Sequence, residues 1–153
     1  MLAGLGEQAL LTGPMIAFFA SRQCPGTAIR AAMDWVLLQA QTRQVVIGGF
    51  HSPLEQSVLQ VLLQARSPVV LVLARPIVGA KLNADWLSAI AGGHMTVVSA
   101  GTTAQRLTSE LAAQRNELVV KLATSVVIAH ASPNGGLTAQ CKVWTANKTL
   151  RFL

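Results

Sequence analysis

Two glycine pairs sit where a buried strand gives way to a helix, and both are placed to hold an anion. Gly48-Gly49 closes the apolar run from Val45 and leads into Phe50-His51-Ser52. Gly135-Gly136 follows Asn134 and precedes Leu137-Thr138. At such a turn a missing Cβ lets backbone N–H groups close on a phosphate, and the helix N-terminus adds partial positive charge. A glycine pair also serves plain turn geometry. What tips these two toward binding is Arg22, with Ser21 beside it, directly after a third apolar run that ends at Ala20. Arg115 is a further cation out of place. It falls on the apolar stripe of Leu111, Leu118, Val119 and Leu122, where a charge is costly unless paired. It is either stitched to a carboxylate or to loop carbonyls, or it reaches a ligand.

Other chemistries have less behind them. Cys24 precedes a helix, where a dipole can lower a thiol pKa, and His51 is expected on the same edge, but a Cys before Pro-Gly also reads as a small turn residue. His130 ends a strand and reads as a solvated edge residue. Three histidines and two cysteines are dispersed without metal-ligand spacing, and nothing indicates a cofactor. Trp35, Trp86 and Trp144 all fall within helices, where core packing is the default.

These residues need a scaffold that gathers them, and the apolar pattern supplies one. Strand-length runs recur at Met15–Ala20, Val45–Gly48, Val69–Leu73, Thr96–Ser99, Val126–Ala129 and Leu150–Leu153. They are continuous rather than alternating, which marks strands covered on both faces. Between them the period is helical: Ile29, Met33, Val36, Leu37 and Ala40 share one expected face, and Leu54, Val58, Leu59, Val61, Leu62 and Ala65 share another. Ser52-Pro53-Leu54-Glu55 combines an N-cap, a Pro at the first helical position and a Glu three residues after the cap. Thr108 caps a later helix, and Gly135-Gly136 precede a last one over Leu137–Ala146. The expectation is a single α/β domain over residues 1–153, a doubly wound, mostly parallel sheet of about six strands with helices on both faces. In such a sheet ligands bind beyond the carboxyl ends of the strands. Arg75, Gly101-Thr102-Thr103 and His130 complete the edge that Ser21, Arg22, Gly48, Gly49 and His51 begin.

Charge restricts the partner. Lys and Arg number 12 against 6 Asp and Glu, a net +6, and the pI is near 10.4; this suits nucleic acid or a nucleotide. No polybasic run exists, so a basic surface has to be assembled by folding. Residues 1–20 are apolar but carry Glu7 and the Gly13-Pro14 break, which does not suit a signal peptide. The apolar runs are too short to span a membrane. Two well-separated cysteines read as reduced thiols in a cytoplasmic protein.

The same positions resemble the DNA-processing protein A (DprA/Smf) family, part of a wider Rossmann-like group that includes the LOG or lysine decarboxylase-like phosphoribohydrolases. The family's G-S-R is similar to Ala20-Ser21-Arg22, and its S-G-x-A-x-G-I-D to the segment from Gly48 to Glu55. Its R-N-R-I-I is similar to Arg115-Asn116-Glu117-Leu118-Val119, and its S-G-S-x-x-T-A to the segment from Asn134 to Ala139. The resemblance implies a Rossmann-like fold, homodimers and single-stranded DNA bound in a basic pocket during recombinase loading. Ser52-Pro53-Leu54-Glu55 replaces Gly-Ile-Asp, Glu117 replaces the second Arg of R-N-R, and the family's accessory helical and winged-helix domains have no counterpart, which puts recombinase loading in doubt even where ligand binding is retained. LOG-type enzymes carry P-G-G-x-G-T-x-x-E, and the stretch from Pro133 to Cys141 lacks that catalytic Glu. Glycoside hydrolysis normally uses two carboxylates, whereas Glu55 is the acid expected near the edge. The sequence therefore favours a non-catalytic module for single-stranded nucleic acid or a nucleotide, its cradle drawn from Ser21, Arg22, Gly48, Gly49, His51, Ser52, Arg115, Asn134, Gly135, Gly136 and Thr138. The alternatives are a nucleotide-processing enzyme and a nucleotide sensor on the same scaffold.

Overall fold

A computed structural model describes residues 3–77, 80–99 and 108–153. Among these the chain forms seven strands: β1 (Ala3–Gly6), β2 (Met15–Ala20), β3 (Val45–Gly48), β4 (Val69–Leu73), β5 (Met95–Ser99), β6 (Ser125–His130) and β7 (Thr149–Phe152). Five α-helices alternate with them: α1 (Gly26–Thr42), α2 (Pro53–Gln64), α3 (Ala84–Ala91), α4 (Ser109–Leu122) and α5 (Gly136–Trp144). The strands form one sheet in the order β1-β5-β4-β3-β2-β6-β7. All neighbours are parallel except β1, which runs antiparallel to β5.

Each face of the sheet has its own core. On one side Ala32, Trp35 and Val36 of α1 meet Val58 and Leu62 of α2 over Phe18, Val46 and Leu71. On the other Val119 and Val120 of α4 and Trp144 of α5 cover Phe19, Ile47 and Ile128. Adjacent phenylalanines of β2 thus anchor opposite layers: Phe18 stacks on Trp35 at 5.1 Å between centroids and Phe19 meets Trp144 at 4.9 Å. Burial on both faces is why these strands read as unbroken apolar runs.

Two expectations are corrected. The sheet gains β1, an edge strand of four residues, so Met15–Ala20 is the second strand and not the first. The inward face of α1 is Ala28, Ala32, Trp35, Val36 and Gln39, while Ile29 and Leu37 are exposed. The helical period is as read, but small alanines allow α1 close to the sheet and the indole fills the gap, which turns the larger aliphatics outward.

Candidate nucleic-acid interface

Strand order reverses at β2, with β3 on one side and β6 on the other. The crevice for a ligand therefore opens beyond the carboxyl ends of β2 and β6. A register shift between Phe19 and Ala20, which pairs Ala20 with His130, bends the ladder at this point.

Glu55 ties the first two turns of this edge together. Ser52 caps α2, accepting from the Glu55 N–H at 3.4 Å. The Glu55 carboxylate in return accepts from the backbone N–H groups of Ser52 at 3.2 Å, His51 at 2.9 Å and Ala20 at 3.0 Å. Three N–H bonds and the dipole of α2 hold a buried carboxylate that would otherwise be costly. The bond to Ala20 reaches β2, so the capping box also sets where the Ser21-Arg22 turn begins. Phe50, buried at φ 48, enters this turn in the left-handed region, a strained conformation of the kind that persists where surrounding contacts over-determine it.

The third turn is laced to the first. Ser21 donates its N–H to the His130 carbonyl at 2.9 Å, and its Oγ accepts from the Ser132 N–H at 2.8 Å. Thr138 donates its hydroxyl to the Ser132 carbonyl at 2.6 Å, and Gly135 donates its N–H to the same carbonyl at 3.0 Å. Gly135 is the N-cap of α5 with no side chain to occupy the cap, and Asn134 precedes it at φ 61. The first N–H groups of α5 thus lack a side-chain cap at the crevice.

Arg115 lies across Gly49. A Cβ on Gly49 would come 2.6 Å from both Cδ and Cζ of Arg115, so the glycine is needed to seat the guanidinium rather than to form the turn alone. Arg115 forms no ion pair among the described residues; its Nε and Nη2 reach Asn116 Oδ1 at 3.4 and 3.3 Å. Burial pushes its pKa below the ordinary arginine value, and the nearby Glu55 charge opposes that shift. The neighbouring Asn116 donates to Gln140 at 3.2 Å, and Gln140 donates to Glu117 at 3.0 Å. Glu117 also accepts the Trp144 indole N–H at 3.0 Å. Glu117 is therefore a clamp between α4 and α5, which explains an acid at that position.

The thiol of Cys24 donates to the Ser21 carbonyl at 3.2 Å, and burial followed by the Glu55 charge raises its pKa. That environment disfavours the thiolate a nucleophile requires. Among the described residues no group of three or more His, Cys, Asp or Glu could hold a metal ion.

The structure thus brings Ser21, Gly48, Gly49, His51, Ser52, Arg115, Asn134, Gly135, Gly136 and Thr138 to one edge, with Arg22 exposed on it. Ser21, Ser52 and Thr138 spend their hydroxyls on the scaffold. Arg22, by contrast, has no hydrogen bond or ion pair to another described residue, and the His51 side chain is exposed. Gly101-Thr102-Thr103 lie outside the described residues. Sequence reasoning missed a cavity of about 1020 Å3 beside this edge, lined by residues of α2 and α3 and by Gly49, His51, Arg115, Lys81 and Trp86. Trp86 packs against the core as expected but is only half-buried, and no sequence mark separates it in this from Trp35 and Trp144.

Residues 1–150 match the family model of DNA recombination-mediator protein A. DNA processing protein A (DprA) from Streptococcus pneumoniae superposes on 99% of this chain with a TM-score of 0.80 and 18% identity. This chain spans about half of that one, 54%. DNA processing protein A from Helicobacter pylori, whose structure concerns its single-stranded DNA binding mode, matches 99% of this chain and 70% of its own at 15% identity, with a TM-score of 0.79. A molybdenum cofactor binding protein from Rippkaea orientalis aligns over 91% of this chain and 75% of its own, with 15% identity and a TM-score of 0.60. At these identities the likenesses show the fold. No protein of curated function matches.

Proposed function

The chain belongs to the DNA recombination-mediator protein A family, and from that premise we propose that it binds single-stranded DNA across the carboxyl edge of its sheet, without chemistry of its own. The observation that carries this reading is Arg115, a half-buried cation seated on Gly49 with no carboxylate partner among the described residues. A phosphate beside it would offset the cost of desolvating that charge. Arg22 supplies a second, freely exposed cation, and the α5 N-terminus at Gly135-Gly136 supplies N–H groups. The Helicobacter pylori relative's single-stranded DNA binding supports the same ligand.

The test is fluorescence anisotropy with a labelled oligodeoxythymidylate. Arg115→Ala and Gly49→Ala should both weaken binding by about tenfold or more, the value of a charge-assisted contact, while thermal melts show both folded. Gly49→Ala is the sharper variant, because it leaves the charge and removes only its seat. Undiminished binding by a folded Gly49→Ala protein would take Arg115 out of the interface. Hydrolysis is the competing reading, and it is disfavoured because Glu55 is consumed by three backbone N–H groups. Release of free base from a nucleoside monophosphate would overturn the non-catalytic assignment.

The reading extends to a cytoplasmic homodimer. Both cysteines are free thiols, and among the described residues no helix is long and apolar enough to cross a membrane. The outward side of α1 exposes Ile29, Leu37 and Leu38, with the charged Arg30 and Asp34 beside them. An apolar patch of this kind is a surface through which a second copy would pair.

A further inference from the structure

The cavity between α2 and α3 is not accounted for by phosphate binding at the sheet edge. Its floor is apolar, built from Leu59 and Leu63 of α2, Leu71 and Leu73 of β4, and Trp86 and Ala89 of α3. Its polar lining is rich in cations: Arg66, Arg75, Lys81 and Arg115 stand against the single acid Asp85. Gln60, Gln64 and Ser88 add hydrogen-bonding groups along the wall. An apolar floor with an aromatic ring, bordered by cations, is the chemistry of a strand that buries its bases and keeps its phosphates at the border. An acidic lining would have excluded that ligand.

We infer that this trench is a base-binding channel, in which bases of the strand whose phosphates meet Arg22 and Arg115 stack on Trp86. The inference rests on the single-stranded DNA reading above and adds to it the path of the bases. The wall from Gln56 to Gln64 advances about 12 Å along α2, and stacked nucleotides rise about 3.4 Å each, so the channel accommodates three or four. Its volume of about 1020 Å3 is ample for more than one base. Trp86 is suited to the role because it packs against the core yet stays only half-buried and lines the cavity, whereas Trp35 and Trp144 are buried and packed on Phe18 and Phe19.

That difference makes intrinsic fluorescence a direct probe. Titration with oligodeoxythymidylates should quench Trp86, and the affinity should rise with length up to about four nucleotides in the channel. Trp86→Leu keeps an apolar residue and should weaken binding by about 5- to 150-fold, the range that stacking a base carries. Trp86→Phe retains a ring and should fall between that variant and the parent. If the oligomer binds in an Arg22-dependent way while Trp86 emission is unmoved and Trp86→Leu binds as well as the parent, the channel is overturned and the edge site stands. Quenching by thymidine monophosphate at the oligomer's affinity would overturn the strand path in favour of one nucleotide. If no oligomer binds at all, both readings fall together.

Discussion

Ser52 and Ser67 are both buried, yet their hydroxyls have opposite circumstances. Ser52 Oγ accepts from the Glu55 N–H as the N-cap of α2. Ser67 Oγ is fully buried with no hydrogen-bond partner among the described residues. Ser52→Ala should therefore destabilise the fold by about 1 kcal/mol. Ser67→Ala removes an unsatisfied hydroxyl and should be neutral or stabilise by up to about 1 kcal/mol. Urea denaturation of the two variants checks the pair, and equal destabilisation by both would contradict this account of the α2 ends. The capping box was legible because its residues are neighbours in sequence. The seat of Arg115 on Gly49 was not, since the stripe around Arg115 shows only that it is misplaced and nothing local shows which backbone it lies against. The Glu55 bond to the Ala20 N–H was hidden for the same reason.

At the scale of elements, every predicted strand lies within a residue of its position in the sheet, because continuous apolar runs bounded by Gly, Pro and polar residues leave little choice. β1 escaped that pattern: Ala3–Gly6 holds two glycines and an exposed Leu5, and its antiparallel pairing with β5 is a long-range event. The facing of α1 escaped for a different reason. Periodicity gives the width of an apolar stripe, but when large aliphatics are spread around the helix, close approach decides which side goes in. Trp35→Ala should consequently cost about 3–5 kcal/mol. Leu37→Gln, at a residue 54% exposed, should change the stability of the dilute monomer by no more than about 0.5 kcal/mol. In the proposed homodimer it should also abolish self-association, as read by sedimentation velocity. A large loss of stability in Leu37→Gln would restore the face that the sequence pattern favours.

For the whole molecule, the excess of six positive charges is scattered along the sequence, and folding sets Arg22, Arg75, Lys81 and Arg115 around one edge and the trench that leaves it. Composition suits an anionic partner, but a surface that follows a strand and one that holds a single nucleotide differ only in where folding puts the charges. The central claim is that several phosphates of one strand are met at once, and its most direct measure is the salt dependence of oligonucleotide affinity. Each neutralised phosphate contributes about −0.7 to the slope of log K against log salt concentration. Three or four contacts give a slope of roughly −2 to −3. Arg22→Ala should lower affinity alike for different sequences and make that slope shallower by one contact's worth, since a phosphate contact positions a strand without reading its bases. Affinity that neither grows with oligonucleotide length nor falls with salt, in the parent protein, would contradict it.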